Sequence, residues 1–138
     1  MTESERPAWT TGPGPEAVFA QRLAAGEFRI QQCAACKRHV FYPRLACSHC
    51  GSVELAWVEP SGRGTVHAVS IVNRSADKGG PYNVVLVDLA EGPRMMGRVD
   101  GMANDAIRIG LAVRARLGTG VGGEPCVVFE ADAAGSAR

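Results

Sequence analysis

The chain has 138 residues, 46% hydrophobic and 21% charged, which suits one soluble domain or a small module joined to a modest one. Fifteen Lys and Arg against fourteen Asp and Glu leave a formal charge of +1, so nothing in the balance points to a polyanionic partner or an acidic membrane surface. No apolar run approaches the roughly 18 residues of a membrane span, and the opening MTESERPAWTTGPGPE carries no apolar leader, so a cytoplasmic protein with reduced thiols and no membrane partner is expected.

Residues 1–14 are polar and rich in Pro and Gly, and a flexible segment is expected there. In GPEAVFAQRLAAGEF, Pro15 stands near a helix start and Gly26 just past its end. Val18, Phe19, Leu23 and Ala24 recur at helical spacing and predict one short amphipathic helix. In EFRIQQC the alternation of Phe28, Ile30 and Gln32 predicts a strand.

Four of the five cysteines come next, as Cys33-x-x-Cys36 and Cys47-x-x-Cys50, the second pair followed by Gly51. The odd total argues against a disulfide framework. Two C-x-x-C turns instead aim four thiolates at one ion, a closed tetrahedral site. The linker between the pairs is shorter than the roughly 15–20 residues of the common zinc-ribbon spacing. It still allows a hairpin, out through KRHVFYP and back through RLA. Units below about 40 residues usually need such a staple, and structural zinc supplies on the order of 10–16 kcal/mol of apparent binding free energy. A thioredoxin-like redox motif would open a helix, whereas Pro43 and the β-prone HVFY follow the first pair. Four sulfurs suit zinc or iron, and zinc is the expectation. His39 and His49 read as loop residues beside a complete ligand set, and a site with no open position reads as structural. The hairpin also crowds Phe41, Tyr42 and Leu45 together, which predicts either packing on the helix or an interaction patch. VELAWVE (53–59) leaves as another strand, so residues 15–57 form one helix-and-ribbon unit.

From residue 58 to 131, glycines punctuate short β-type runs. Strands are predicted at 64–73, 82–90, 94–100, 112–117 and 125–130, with AEGPR as a tight hairpin between the second and third. Five short strands without a long helix suit a small Greek-key barrel, with the OB fold leading and a sandwich of similar strand number fitting the same pattern. Residues 132–138 read as a flexible tail. Cys126, inside an apolar strand, reads as a small buried hydrophobe.

Function is narrowed by what the barrel region carries. Its acids and bases balance, and Tyr82 and Phe129 are its aromatics, so a basic groove with a stacking platform for nucleic acid is not expected. His67 lies on a strand with no partner motif beside it, and the chain has no G-x-S-x-G elbow, P-loop or dinucleotide fingerprint. GTGVGG (118–123) precedes a strand, not a helix, and reads as a loop. No catalytic residue is assigned.

Taken together, QQCAACKRHVFYPRLACSHCGS, SGRGTVHAVSIVNR, PYNVVLVDLAEGPRMMGRV and IRIGLAVRARL resemble a family of OB-fold proteins with an N-terminal rubredoxin-like zinc ribbon, once catalogued as a domain of unknown function. The resemblance covers about residues 15–131. It implies a mainly β protein: a helix and zinc ribbon, then a five-stranded OB-fold barrel. It also implies a non-catalytic accessory subunit that joins a thiolase-like, ketoacyl-synthase-like or hydratase enzyme in a hetero-oligomer. Such a subunit helps form the acyl-CoA or acyl-carrier site, in sterol side-chain breakdown, lipid degradation or acyl transfer. The ligand role carries over to Cys33, Cys36, Cys47 and Cys50; no residue is assigned to coenzyme contact. A nucleic-acid-binding ribbon and barrel is the alternative. Arg63, Arg74, Lys78, Arg94 and Arg98, at strand ends or on the hairpin, are candidates to meet coenzyme phosphates or to be solvated charge.

Overall fold

The computed structural model describes residues 13–120 and 122–132, in two compact units divided between Pro60 and Ser61. The expected terminal segments, 1–14 and 132–138, lie outside the described residues apart from residues 13, 14 and 132. No helix among the described residues is long and apolar enough to cross a membrane.

The N-terminal unit opens with α1 (Pro15–Ala24). Pro15 fits the first turn, where its missing N–H has no intrahelical partner to lose, and Glu16 and Arg22 place opposite charges at the ends the helix dipole favours. Phe19 meets Phe41 and Phe28 edge-on, at centroid distances of 5.5 and 6.4 Å, which ties α1 to the ribbon hairpin. The ribbon itself is a small antiparallel sheet in the order β2-β1-β3, from β1 (Ile30–Cys33), β2 (His39–Val40) and β3 (Leu55–Val58). On β1 the burial differs from simple alternation, because Ile30, Gln31 and Cys33 are all buried. Gln31 can be buried because both ends of its amide are paired: Nε2 donates to the Arg44 carbonyl and Oε1 accepts from the Arg44 N–H, both at 2.8 Å.

The C-terminal unit is a curled sheet in the order β6-β5-β4-β7-β8. Its strands are β4 (Arg63–Val72), β5 (Tyr82–Leu89), β6 (Arg94–Gly97), β7 (Ala112–Thr119) and β8 (Pro125–Ala131). All ladders are antiparallel, and the sheet curls until its two edges touch at one parallel bridge, Val99 to Phe129. Around that bridge the Phe129 N–H donates to the Arg98 carbonyl at 2.9 Å, and the Asp100 N–H to the Phe129 carbonyl at 2.8 Å. This is the connectivity of an OB fold, not of a sandwich.

Alternation on β5 puts Asn83, Val85, Val87 and Leu89 inside, where they pack with Val66, Met95, Val113 and Phe129. A Cβ at Gly97 would come within 2.8 Å of the Phe129 ring, so glycine is what lets the ring fill the interior. The predicted strand 94–100 stops at Gly97, because the chain there leaves β5 to make the bridge. Asn83 repeats the Gln31 device: Nδ2 donates to the Val99 carbonyl at 2.9 Å, and Oδ1 accepts from the Val99 N–H at 2.7 Å. Cys126 is half-buried, less enclosed than its apolar neighbours in sequence suggest.

Candidate metal centre

Two turns of matching geometry deliver the four thiols. The Lys37 N–H closes the first onto the Cys33 carbonyl, and the Gly51 N–H closes the second onto the Cys47 carbonyl, both at 2.9 Å. Each turn ends in left-handed backbone, with φ of 68° at Lys37 and 81° at Gly51. Gly51 is legible as a turn-closer in the sequence; Lys37 is not, since a lysine has no intrinsic preference for that conformation.

The four Sγ atoms all lie within 4.8 Å of one another. Cys33 and Cys50 are 3.5 Å apart, and Cys36 and Cys47 are 3.7 Å apart. Zinc–sulfur bonds of about 2.3 Å require tetrahedral edges of about 3.8 Å, so the donor set fits a structural ion of that size. Backbone N–H groups already point at sulfur, Cys36 to Cys33 at 3.4 Å and His49 to Cys47 at 3.3 Å. The Cys36 N–H draws the Cys33 thiol down to about 6. Burial pushes Cys47 up, but the N–H groups of His49 and Cys50 together with the Cys36 and Cys50 sulfurs outweigh it and leave that thiol below its ordinary value. At Cys50 the Ser52 N–H lowers the pKa, while the Cys33 sulfur, burial and the other two sulfurs together raise it to about 11. Crowded sulfurs resist becoming four thiolates together, and a cation among them removes that penalty.

Neither His39 nor His49 joins the sulfur cluster. His39 is half-buried on β2, and His49 is exposed with its Nδ1 3.4 Å from Arg38. The apolar hairpin divides its residues. Phe41 packs on α1, while Tyr42 and Leu45 stay 49% exposed beside a groove of about 600 Å³ that Pro15 and Pro43 also line. Tyr42 donates to the Glu16 carboxylate, and that bond raises the phenol pKa.

His67 does have a partner, one that only the strand register reveals. A bulge between Val66 and Ala68 sets its ring 3.4 Å from Asp88, which Arg94 also grips at 2.6 Å and holds below the usual carboxylate range. All three side chains are exposed by more than 40%, on open surface. Arg98 is held by Asp100 at 2.8 Å and donates to the Thr119 carbonyl at 2.8 Å. Arg63 and Lys78 are exposed, and Arg74 lies at the barrel rim.

Two family models match adjoining stretches of the chain: "ChsH2, rubredoxin-like zinc ribbon domain" over residues 20–56 and "ChsH2, C-terminal OB-fold domain" over residues 57–118. A solved structure described as "Ltp2-ChsH2(DUF35) aldolase" superposes with a TM-score of 0.75 at 31% identity, covering 91% of this chain and 98% of that one. Among curated proteins, a "probable enoyl-CoA hydratase alpha subunit" from Thermomonospora curvata is 40% identical over 100 residues, 71% of this chain. A "DUF35 domain-containing scaffold protein" from Methanothermobacter thermautotrophicus is 31% identical over 83 residues, 57% of this chain. The chain spans 30% of the length of the first and 62% of the second.

Proposed function

The chain belongs to the ChsH2-type DUF35 family, a rubredoxin-like zinc ribbon followed by an OB fold, and from that premise we propose that it is a non-catalytic accessory subunit of a thiolase-like enzyme in the cytoplasm. Residues 15–57 serve as the zinc module and residues 58–131 as the barrel. In this reading Cys33, Cys36, Cys47 and Cys50 hold one zinc ion, which cross-links the two turns and leaves no coordination position for substrate. The partner carries the acyl-CoA chemistry, and this chain helps build its binding site.

The observation that carries the reading is the match across both units to the DUF35 component of a two-part aldolase structure. The name of the archaeal relative, a scaffold protein, points the same way. The hydratase alpha subunit supports an acyl-CoA context, although the shared part is a minority of that protein. The exposed Tyr42 and Leu45 beside the ribbon groove offer an apolar surface for such a partner.

Co-expression with a candidate thiolase-like enzyme from the same organism, followed by size exclusion and thiolysis or retro-aldol assays, tests the proposal. Co-elution, no turnover by this chain alone, and partner activity that falls on omission and returns on addition are expected. Separate elution with undiminished partner activity would overturn it.

A further inference from the structure

The four ribbon sulfurs differ in what can reach them. Cys33 and Cys47 are buried and Cys36 is half-buried, whereas Cys50 is exposed. Ser48, His49 and Gly51 around it are exposed as well, so a small solute meets that sulfur without the fold having to open.

The fold also fixes which sulfur comes next. Cys50 Sγ lies 3.5 Å from Cys33 Sγ, and Cys36 Sγ lies 3.7 Å from Cys47 Sγ. Both contacts run from one turn to the other. A disulfide holds its sulfurs about 2.05 Å apart, so each pair has roughly 1.5 Å to close. Closing across the turns keeps them tied together and leaves both backbone closures in place, Lys37 onto Cys33 and Gly51 onto Cys47. Closing within a turn would leave the two turns unlinked. Cys126 is a built-in comparison: it is half-buried, sits on β8 in the other unit and has no place in the sulfur cluster.

We propose that the ribbon is a modification site for hydroperoxides, with Cys50 the point of attack and the disulfides Cys33–Cys50 and Cys36–Cys47 the product. The proposal rests on the zinc part of the accessory-subunit reading and not on the partner enzyme. A ligating cysteine is a thiolate, the form that reacts with peroxide. The Cys50 sulfur bonds to one peroxide oxygen as the O–O bond breaks, which makes a sulfenic acid and releases hydroxide. The Cys33 thiolate then attacks that sulfur, the S–S bond forms and a second hydroxide leaves. Two electrons have passed from sulfur to oxygen, and protons from solvent turn both hydroxides into water. Cys36 and Cys47 repeat the sequence with a second peroxide. Four thiolates, two hydrogen peroxides and four protons thus give two disulfides and four waters. The sulfurs then no longer serve as thiolate ligands.

The test uses the full reduced chain, with its zinc content measured first. Hydrogen peroxide is added in steps, released zinc is read with a chromogenic chelator, and free thiols are trapped with iodoacetamide. Two equivalents should release all the zinc and remove four thiols, while Cys126 is still alkylated. Trypsin places Cys33 and Cys36 on residues 30–37 and Cys47 and Cys50 on residues 45–63. Bonds across the turns leave these peptides joined until reduction, and bonds within a turn leave them apart. Fragmentation after one equivalent should find Cys33–Cys50 formed first. Dithiothreitol and zinc should return the starting chain. A chain stripped by a chelator before oxidation should give mixed pairings, because the folded turns no longer choose the partners. A reduced chain without zinc would overturn both the zinc reading and this proposal. Bonds within the turns, zinc retained after two equivalents, sulfinic or sulfonic acid as the main product at Cys50, or the same two disulfides from the stripped chain would overturn the proposal alone.

Discussion

Cys33 in the N-terminal unit and Phe129 in the C-terminal unit are both 0% exposed, in unlike company. Phe129 shares its five-stranded unit with Val66, Val85, Val87, Met95 and Val113, all apolar and all buried. In the ribbon, the place of such an interior is taken by Cys33, Val40 and Cys47, with Cys36 and Leu55 against them. Three of those five residues are cysteines. The barrel can therefore fold on apolar burial, whereas the ribbon depends on what its thiols bind. The contrast teaches that a small sheet and a large one in the same chain can be fixed by different chemistry.

The sharpest break of that contrast is chelation, or C36S. Loss of a four-thiolate ion forfeits on the order of 10–16 kcal/mol of apparent binding free energy, so ribbon amides should collapse to unfolded shifts while barrel amides keep theirs. Elemental analysis should find about one zinc per chain before treatment; a metal-free chain with a folded ribbon would defeat the assignment. The mirror experiment is F129A, expected to cost the barrel about 3–5 kcal/mol by opening a cavity. Denaturant melts followed at barrel amide signals such as Val85 and Val113, with metal content measured alongside, should show a weakened barrel and an unchanged zinc ratio.

Two smaller substitutions ask where the units are alike. Q31A and N83A each leave both backbone groups of one residue without a partner, Arg44 in the ribbon and Val99 in the barrel. N83A should cost about 1–3 kcal/mol per buried group left unpaired; Q31A should cost less, because Arg44 is exposed and water can replace the lost partner, and hydrogen exchange should confine the damage to the substituted unit. The smallest change should be a gain. K37G relieves a left-handed lysine, worth roughly 1 kcal/mol or a little more, and it should slow metal loss to a competing chelator without altering stoichiometry.

Much of this was legible in the sequence, for reasons that differ by residue. The gathering of Cys33, Cys36, Cys47 and Cys50 at one point follows from two C-x-x-C pairs alone, because spacing and chemistry coincide there. The observed β5 (Tyr82–Leu89) and β7 (Ala112–Thr119) closely follow the expected runs, since one buried face imposes a period of two. What stayed hidden depends on long-range register. Asp88 reaches His67 only through a bulge, and Arg98–Asp100 leaves the sheet only because Phe129 draws it across. Gln31 and Asn83 read as ordinary polar residues until their distant backbone partners are known. Arg74 looks like solvated charge among several basic residues, and its place over Tyr82 is a property of the folded loop.

The carboxamides of Gln31 and Asn83 each stand in for a neighbouring strand, offering one donor and one acceptor where the backbone would offer the same pair. That substitution makes both units sensitive to chemical ageing. Hydrolysis of Asn83 to a carboxylate exchanges a donor for an acceptor, so two oxygens would face each other at the Val99 carbonyl and a charge would be enclosed. A ladder rung made by main chain has no such lability. The burial that makes the Asn83 amide useful is also what shields it from water.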